Sequence, residues 1–382
     1  MEIVNRRAGL RAGALSRNGA RCKIVRLLMI KLLISLNCVA ANAADERMFY
    51  MGFTPWLYDF SVEAIDSTYS YINSHSDVIA HHLEEGVPWT EARTRTGYHP
   101  NMMWGWNLRK IKSSRDLKVF VSISPLNQSR SGLAEYRGES TEMALPTRFQ
   151  GRSFNDPIVK LAYLNYAESV IRFFEPDYLA IAIEANELYF NNRAQWPDFV
   201  ELYIETYAAL KLRHPELPIF FTTSLHNMNQ MRKDTDDAWR EMSMLWNYAD
   251  IAAFSYYPFM EYPLNSNDPV AMMDKIRAHT DKPLAISESG YPAQPIDYPG
   301  LSYIPTTERL QGEIMFRMLN KVYRDQYEFF IAWTYRDFDQ LMNRTNMPAI
   351  SALWRDTGLL SETGKRRLSS EVWDAFYNLP TR

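Results

Sequence analysis

The feature that most constrains the fold is an alternation repeated eight times along residues 45–382. Short apolar runs are each followed by a longer stretch with helical spacing. The runs are Met48–Phe53, Val78–His81, Lys118–Ile123, Tyr178–Ile183, Ile219–Thr222, Ile251–Phe254, Leu284–Ile286 and Phe329–Trp333. Most are apolar throughout, as expected of parallel strands covered on both faces. Helix starts lie between them. Ser61 precedes Val62-Glu63-Ala64, and Asn155-Asp156-Pro157 places a proline in a first turn. The stretches from Trp196 to Arg213, Asp234 to Tyr248, Asp268 to His279 and Thr306 to Tyr323 read the same way. Strand and helix in regular alternation imply an α/β protein with a parallel sheet. Eight units favour a closed (β/α)8 TIM barrel over an open doubly wound sheet. No glycine-rich turn follows the first run, which argues against a dinucleotide fold. With no linker and no internal repeat, residues 45–382 read as a single catalytic domain. Long loops follow strands two (Glu84 to Ser114) and three (Asn127 to Phe154).

The first 43 residues follow a different logic. They carry eight Lys/Arg and one Asp/Glu, then an apolar run from Leu32 to Ala40 and the small-x-small pattern Ala41-Asn42-Ala43. This is the pattern of a cleaved signal peptide, too short for a membrane span. Met29 offers an alternative start, with residues 1–28 as an upstream extension. A lipoprotein reading on Cys38 is less favoured, because Asn37 stands where a small residue is expected. Without this segment 34 basic and 44 acidic residues remain, a net of −10. Nucleic acid and anionic membranes are poor partners for such a chain. Both cysteines, Cys22 and Cys38, fall in the leader, so the mature part has no thiol chemistry, which fits a secreted or periplasmic protein.

In such a barrel the carboxyl ends of the strands converge on one rim. The two ends most suited to chemistry are Ala185-Asn186-Glu187 after strand four and Ser287-Glu288-Ser289-Gly290 after strand seven. Each delivers a glutamate to the rim, and two such carboxyls are what retaining glycoside hydrolysis requires. The rest of the rim offers Trp56, His81-His82, His226, Tyr256-Tyr257 and Trp333, with Trp89, Trp104 and Trp106 in the long second loop. Aromatic rings that stack on sugar faces, mixed with amides and carboxylates that hold hydroxyls, suit an oligosaccharide or polysaccharide partner. Adjacent strand residues point to opposite faces, so His81 and His82 are a poor metal pair. No cofactor or metal is expected. Glu184, three residues before Glu187, is expected to point into the barrel or to pair with a basic group.

These residues resemble clan A glycoside hydrolases. Ser287-Glu288-Ser289-Gly290-Tyr291-Pro292 is similar to the nucleophile segment of plant-type endo-β-1,3-glucanases. Phe254-Ser255-Tyr256-Tyr257-Pro258-Phe259 is similar to the strand-six segment of arabinogalactan endo-β-1,4-galactanases. Leu353-Trp354-Arg355-Asp356-Thr357-Gly358 looks like the closing segment of the clan. The resemblance implies Glu288 as nucleophile and Glu187 as acid/base. It implies Asn186 on the substrate 2-hydroxyl, Tyr256 or else Tyr257 against the nucleophile, and Trp333 beneath the reactive sugar. Trp56, Trp89, His82 and His226 complete the expected substrate contacts. The histidines at the end of strand two depart from the galactanases, which carry an arginine there. The expected activity is retaining, endo-acting β-glycoside hydrolysis of a β-glucan, galactan or xylan. The alternatives are a non-catalytic carbohydrate-binding barrel and a metal-dependent hydrolase.

Overall fold

The computed structural model describes residues 46–229, 234–261, 270–297, 303–345 and 347–381. The segment expected to be a leader, residues 1–43 with both cysteines, lies outside them. Nine parallel strand segments follow the chain: β1 (Tyr50–Phe53), β2 (Val78–Leu83), β3 (Lys118–Ile123), β4 (Tyr178–Ala180), β5 (Ile219–Phe220), β6 (Thr222–Ser224), β7 (Ala252–Tyr256), β8 (Leu284–Ser289) and β9 (Phe329–Ala332). Their order is β5-β4-β3-β2-β1-β9-β8-β7-β6. The outermost two, β5 and β6, are consecutive pieces of one strand interrupted at Phe221. The chain beyond β4 bridges the break: Ile181 N donates to Phe220 O at 2.8 Å, Thr222 N to Ala182 O at 2.9 Å and Ala185 N to Thr222 O at 2.9 Å. The sheet is therefore a (β/α)8 barrel, with one of its eight strands in two pieces.

The expected helix starts form for local reasons. Ser61 Oγ accepts from Ala64 N at 3.2 Å ahead of the helix Val62–His75. Asp156 Oδ1 accepts from Ile158 N at 2.8 Å, and Pro157 occupies the first turn of Pro157–Phe174. Glu84 to Ser114 differs from expectation. Instead of a loop it contains two helices, Trp89–Thr94 and Pro100–Lys112. Their tryptophans are the reason: Trp89 and Trp106 turn inward, against Phe149 and Tyr163 and against Phe173 and Phe174 respectively. The loop after β3 stays irregular.

The barrel interior is filled by an aromatic layer. Phe120 of β3 lies 5.6 Å from Phe220 of β5 and 5.2 Å from Phe329 of β9, centroid to centroid, and Tyr178 of β4 lies 5.0 Å from Phe329. All four come from different strands, so the layer locks strands that do not pair directly. Each such ring contributes about 2–3 kcal/mol of burial. The two ends of the described residues are tied to each other. Arg47 is 1% exposed, bonds Phe49 O and Asp77, and its backbone N donates to Pro380 O at 2.7 Å. The helix Leu368–Tyr377 packs Trp373 on Phe53, 4.4 Å between centroids.

Gly52 sets how closely β1 and β2 approach: a Cβ there would lie 2.0 Å from the backbone oxygen of Val78. Gly52→Ala is expected to cost about 2 kcal/mol or more by forcing the two strands apart. Gly97, with open space around the same position, should accept alanine within about 0.5 kcal/mol. Urea denaturation midpoints of the two variants check this.

Candidate active site

One cleft of about 630 Å³ opens at the carboxyl ends of the strands. Its lining includes Trp56, His82, Glu84, Glu184, Glu187, His226, Tyr257, Glu288 and Trp333, contributed by most of the barrel's strand ends. A second hollow, of about 640 Å³, lies on the barrel flank between the helices Pro100–Lys112 and Pro157–Phe174; Glu168 is its sole carboxylate.

Glu288 reaches the cleft through a bulge. Ile286 pairs Phe254 and Glu288 pairs Ser255, so β8 has one residue more than β7 across this step. Toward β9, Ile286 pairs Phe330 and Ser289 pairs Ala332, again with one extra residue on β8. A bulge of this kind turns a side chain out of the regular alternation. The Glu288 side chain is 14% exposed, and its Oε1 accepts a short hydrogen bond from the Tyr257 hydroxyl. Its Oε2 lies 3.5 Å from His82 Nδ1. Burial pushes the Glu288 carboxyl up, and the charge of Glu184 adds to the rise; the Tyr257 hydroxyl and Arg130 pull it down.

Glu187 arrives differently from expectation. β4 ends at Ala180, and Asn186-Glu187 open the short helix Asn186–Asn191 rather than ending a strand. The chain leaves the ladder at Glu184, whose φ of 50° is in the left-handed region and whose N–H is held by Thr222 Oγ1 at 2.8 Å. Glu187 is 7% exposed. Asn186 is fully buried behind it. Its Nδ2 donates to Glu187 Oε1 at 3.3 Å and to Ser224 O at 3.0 Å, and its Oδ1 accepts from Ser224 N at 2.8 Å. Asn186, expected on a substrate hydroxyl, is thus seen to brace Glu187 from within the protein.

Two further expectations are corrected. Tyr256 is buried away from the cleft, and its carbonyl accepts from Ser289 Oγ at 2.7 Å; Tyr257 is the tyrosine on Glu288. Trp89 is 0% exposed and its Nε1 donates to Ala134 O at 2.8 Å, so it is a core residue and no sugar platform. Trp56 and Trp333 do line the cleft, 4.9 Å apart, and neither indole N–H has a hydrogen-bond partner among the described residues. His82 stands over Phe120, edge-on to Trp333. Burial drops its imidazole to about 4, so it is neutral in ordinary buffer. His81 points the other way, to Ser113 Oγ at 3.2 Å, as alternating strand residues must. His226 lines the cleft beside Tyr257, 6.2 Å between rings.

Sequence reasoning missed Arg130, Glu142, Asn227 and Trp354, all in the lining. Trp354 belongs to the segment that resembles the clan's closing stretch. Arg130 and Glu142 stand in a loop and Asn227 in the single turn Leu225–Met228, all without periodicity and without a signal. Among the described residues, Asp337, Asp339 and Asp356 are close enough to hold a cation. However, Asp337 gives both oxygens to Arg367, and Arg355 bridges the other two carboxylates.

Glu184 is the expected partner of a base: its Oε2 lies 3.3 Å from Arg130 Nη2. Burial still raises its carboxyl to about 7, with Glu187 and Glu84 adding to the rise against Arg130. A carboxyl raised in the folded state destabilises the fold progressively as pH climbs from its ordinary 4.5 to about 7. Glu184→Gln should therefore melt about 2 °C above the wild type at pH 8 and level with it near pH 4.5. Thermal melts at the two pH values check this, and an equal gain at both would contradict it.

No family model matches the chain, and no curated sequence matches it either. Solved structures do. A GH5_18 protein from Bifidobacterium longum subsp. infantis is 12% identical, covers 87% of this chain and 79% of its own, and superposes with a TM-score of 0.63. The exo-β-1,4-mannosidase of Opitutaceae bacterium strain TAV5 is 15% identical over 86% of this chain and 59% of its own, with a TM-score of 0.59. Xylanase 10B of Thermotoga maritima is 11% identical over 86% and 94%, with a TM-score of 0.56. Each is similar in fold, and the fold this chain shares with them is the (β/α)8 barrel.

Proposed function

We propose that the protein is a retaining β-glycoside hydrolase, exported and endo-acting on a polysaccharide. The observation that carries this reading is that Glu187 and Glu288 line one cleft together with the Trp56–Trp333 pair. Glu288, as the carboxylate, attacks the anomeric carbon while Glu187 protonates the departing glycosidic oxygen. Glu187 then takes a proton from the water that attacks the glycosyl-enzyme, and the bond to Glu288 breaks with net retention. The Tyr257 hydroxyl orients the attacking oxygen, and Asn186 holds Glu187 in place. Trp56 and Trp333 offer ring faces to a sugar.

The charge of the cleft supports a neutral or amino sugar over a uronate. Glu84, Glu85, Glu142, Glu184, Glu187 and Glu288 all line it. The arginines in the lining, Arg109 and Arg130, are bound to Glu85 and to Glu84 and Glu184. The neutral His82 adds no cation. A sugar carboxylate would enter without a positive partner, which is costly in a part-buried site. A volume of about 630 Å³ has room for an oligosaccharide segment. The leader-like segment 1–43 supports export.

Glu288→Ala and Glu187→Gln are each expected to lower kcat by about 10³-fold or more, with the thermal melt unchanged within a few degrees. Wild-type turnover in either variant would remove this reading. Proton NMR of the first products of a neutral polysaccharide panel should show the β anomer; an α product would show inversion. Tight calorimetric binding without hydrolysis would instead favour a carbohydrate-binding protein.

A further inference from the structure

A third hollow, of about 260 Å³, adjoins the cleft and shares Pro55, Trp56 and Arg109 with its lining. Leucine and isoleucine supply most of the remaining wall. Leu57 comes from the segment after β1, Ile65 from the helix Val62–His75, Leu108 from the helix Pro100–Lys112 and Leu341 from the helix Asp339–Arg344. Tyr69, one turn on from Ile65, completes it. Arg109 is the charged member of the wall, and its Nη2 is taken up by Glu85 Oε1 at 2.9 Å. The cleft lining carries six glutamates and the hollow none.

The walls are held apart by bonds outside the hollow. Lys112 pairs with Asp66, Asn73 Nδ2 donates to Lys112 O at 2.9 Å, and Asn73 Oδ1 accepts from Ser114 N at 3.0 Å. These tie the helix Val62–His75 to the end of Pro100–Lys112. Leu341 N donates to Tyr58 O at 3.0 Å and ties the third wall to the segment after β1. The hollow is therefore formed without a ligand. Tyr69 is 5% exposed, and its hydroxyl has no hydrogen-bond partner among the described residues. Burial pushes that hydroxyl up to about 12, against the pull of Arg109, so it keeps its proton as a donor. A sugar ring fits such a wall poorly, because most of its hydroxyls would lose their partners there. An apolar cavity of about 150 Å³ takes a benzene ring. The larger hollow beside Trp56 has room for one ring and a short arm, with Tyr69 as donor to one oxygen.

We propose that this hollow binds a single-ring aromatic group carried by the substrate, attached to the sugar either as an aryl ester or as an aglycone. Trp56 belongs to both linings, so sugar and ring meet at it. The polar, hydroxyl-rich part of the ligand lies among the glutamates of the cleft. The ring lies among Leu57, Ile65, Leu108 and Leu341, and its oxygen accepts from Tyr69. The substrate class is then an aryl-substituted neutral glycan rather than a bare one. The inference rests on the glycosidase reading for the sugar part, while the preference of the hollow for an aromatic ring does not.

The test uses the full chain and methyl 4-hydroxycinnamate as the probe. Saturation-transfer NMR should show its ring protons against the wild-type protein at millimolar concentration. Leu108→Glu puts a charge into the hollow and should weaken probe binding about fivefold or more. Tyr69→Phe should weaken it about two- to tenfold. Should Leu108→Glu fail to fold by circular dichroism, Leu341→Glu replaces it. In turnover, kcat/KM should fall about fivefold or more when mild alkali strips aryl esters from a neutral glycan, or when a benzyl β-glycoside is replaced by the methyl one. The first result assigns an ester and the second an aglycone, and Leu108→Glu should erase the preference through KM rather than kcat. Absent probe binding, or equal binding in a folded Leu108→Glu variant and the wild type, overturns the proposal whatever the activity. Methyl hexanoate bound as tightly as the probe, or an active enzyme with neither preference, overturns it too. Probe binding that Leu108→Glu weakens in a protein that cleaves no glycoside leaves the aryl site standing and removes the glycosidase reading instead.

Discussion

Closure of the sheet is the constraint on which everything else depends. An open parallel sheet would scatter its strand ends along an edge, whereas a closed one brings them to a single ring. Closure here passes through the most irregular join of the barrel, where β4 is short and the partner strand is split at Phe221. Backbone bonds from Ile181, Thr222 and Ala185 span that break. The layer of Phe120, Phe220, Phe329 and Tyr178 fills the space behind it. The irregular join is also where Glu184 and Glu187 leave the sheet. The strain of the site and the weakest part of the ladder therefore coincide, and the aromatic layer supplies the rigidity that the ladder lacks there.

The cleft gathers more carboxylates than an ion-pair network needs. Glu84, Glu184, Glu187 and Glu288 share one rim, and Arg130 is bound to two of them. Like charges in a part-buried space raise one another, so neither Glu184 nor Glu288 keeps the proton affinity of a free carboxyl. An arrangement of this kind separates the protonation states of neighbouring acids, and acid/base chemistry on a sugar bond demands that separation. The same crowding makes the polar part of the cleft acidic and leaves the aromatic pair Trp56–Trp333 as its apolar surface.

Much of this was legible in the residues. The eight apolar runs match the eight barrel strands with shifts of a few residues at their ends, and Ser61 and Asp156 cap the helices that follow them. Glu187 and Glu288 line one cleft because runs of that type end at one rim. What failed did so for identifiable reasons. Tyr256 and Tyr257 are adjacent, and only the end of β7 decides which of them turns toward Glu288. Trp89 looked like a rim aromatic because its segment read as a loop. The segment is instead helical, so the ring belongs to the core. That Asn186 braces Glu187 is likewise visible only in the packed structure, where Ser224 and Glu187 meet its amide.

The sequence by itself determined the eight runs, the barrel and the placing of Glu187 and Glu288 after the fourth and seventh of those runs, since periodic burial is a local property repeated along the chain. The tertiary structure alone decided the bulge that aims Glu288, the left-handed turn that releases Glu187 and the placing of Arg130 between Glu84 and Glu184. Those three depend on pairs such as residues 84 and 130 or 130 and 184, far apart in sequence and brought within hydrogen-bonding reach by closure. A one-residue change of register, or a single reversed φ, leaves no trace in composition or spacing. Only the packed neighbours on each side enforce it.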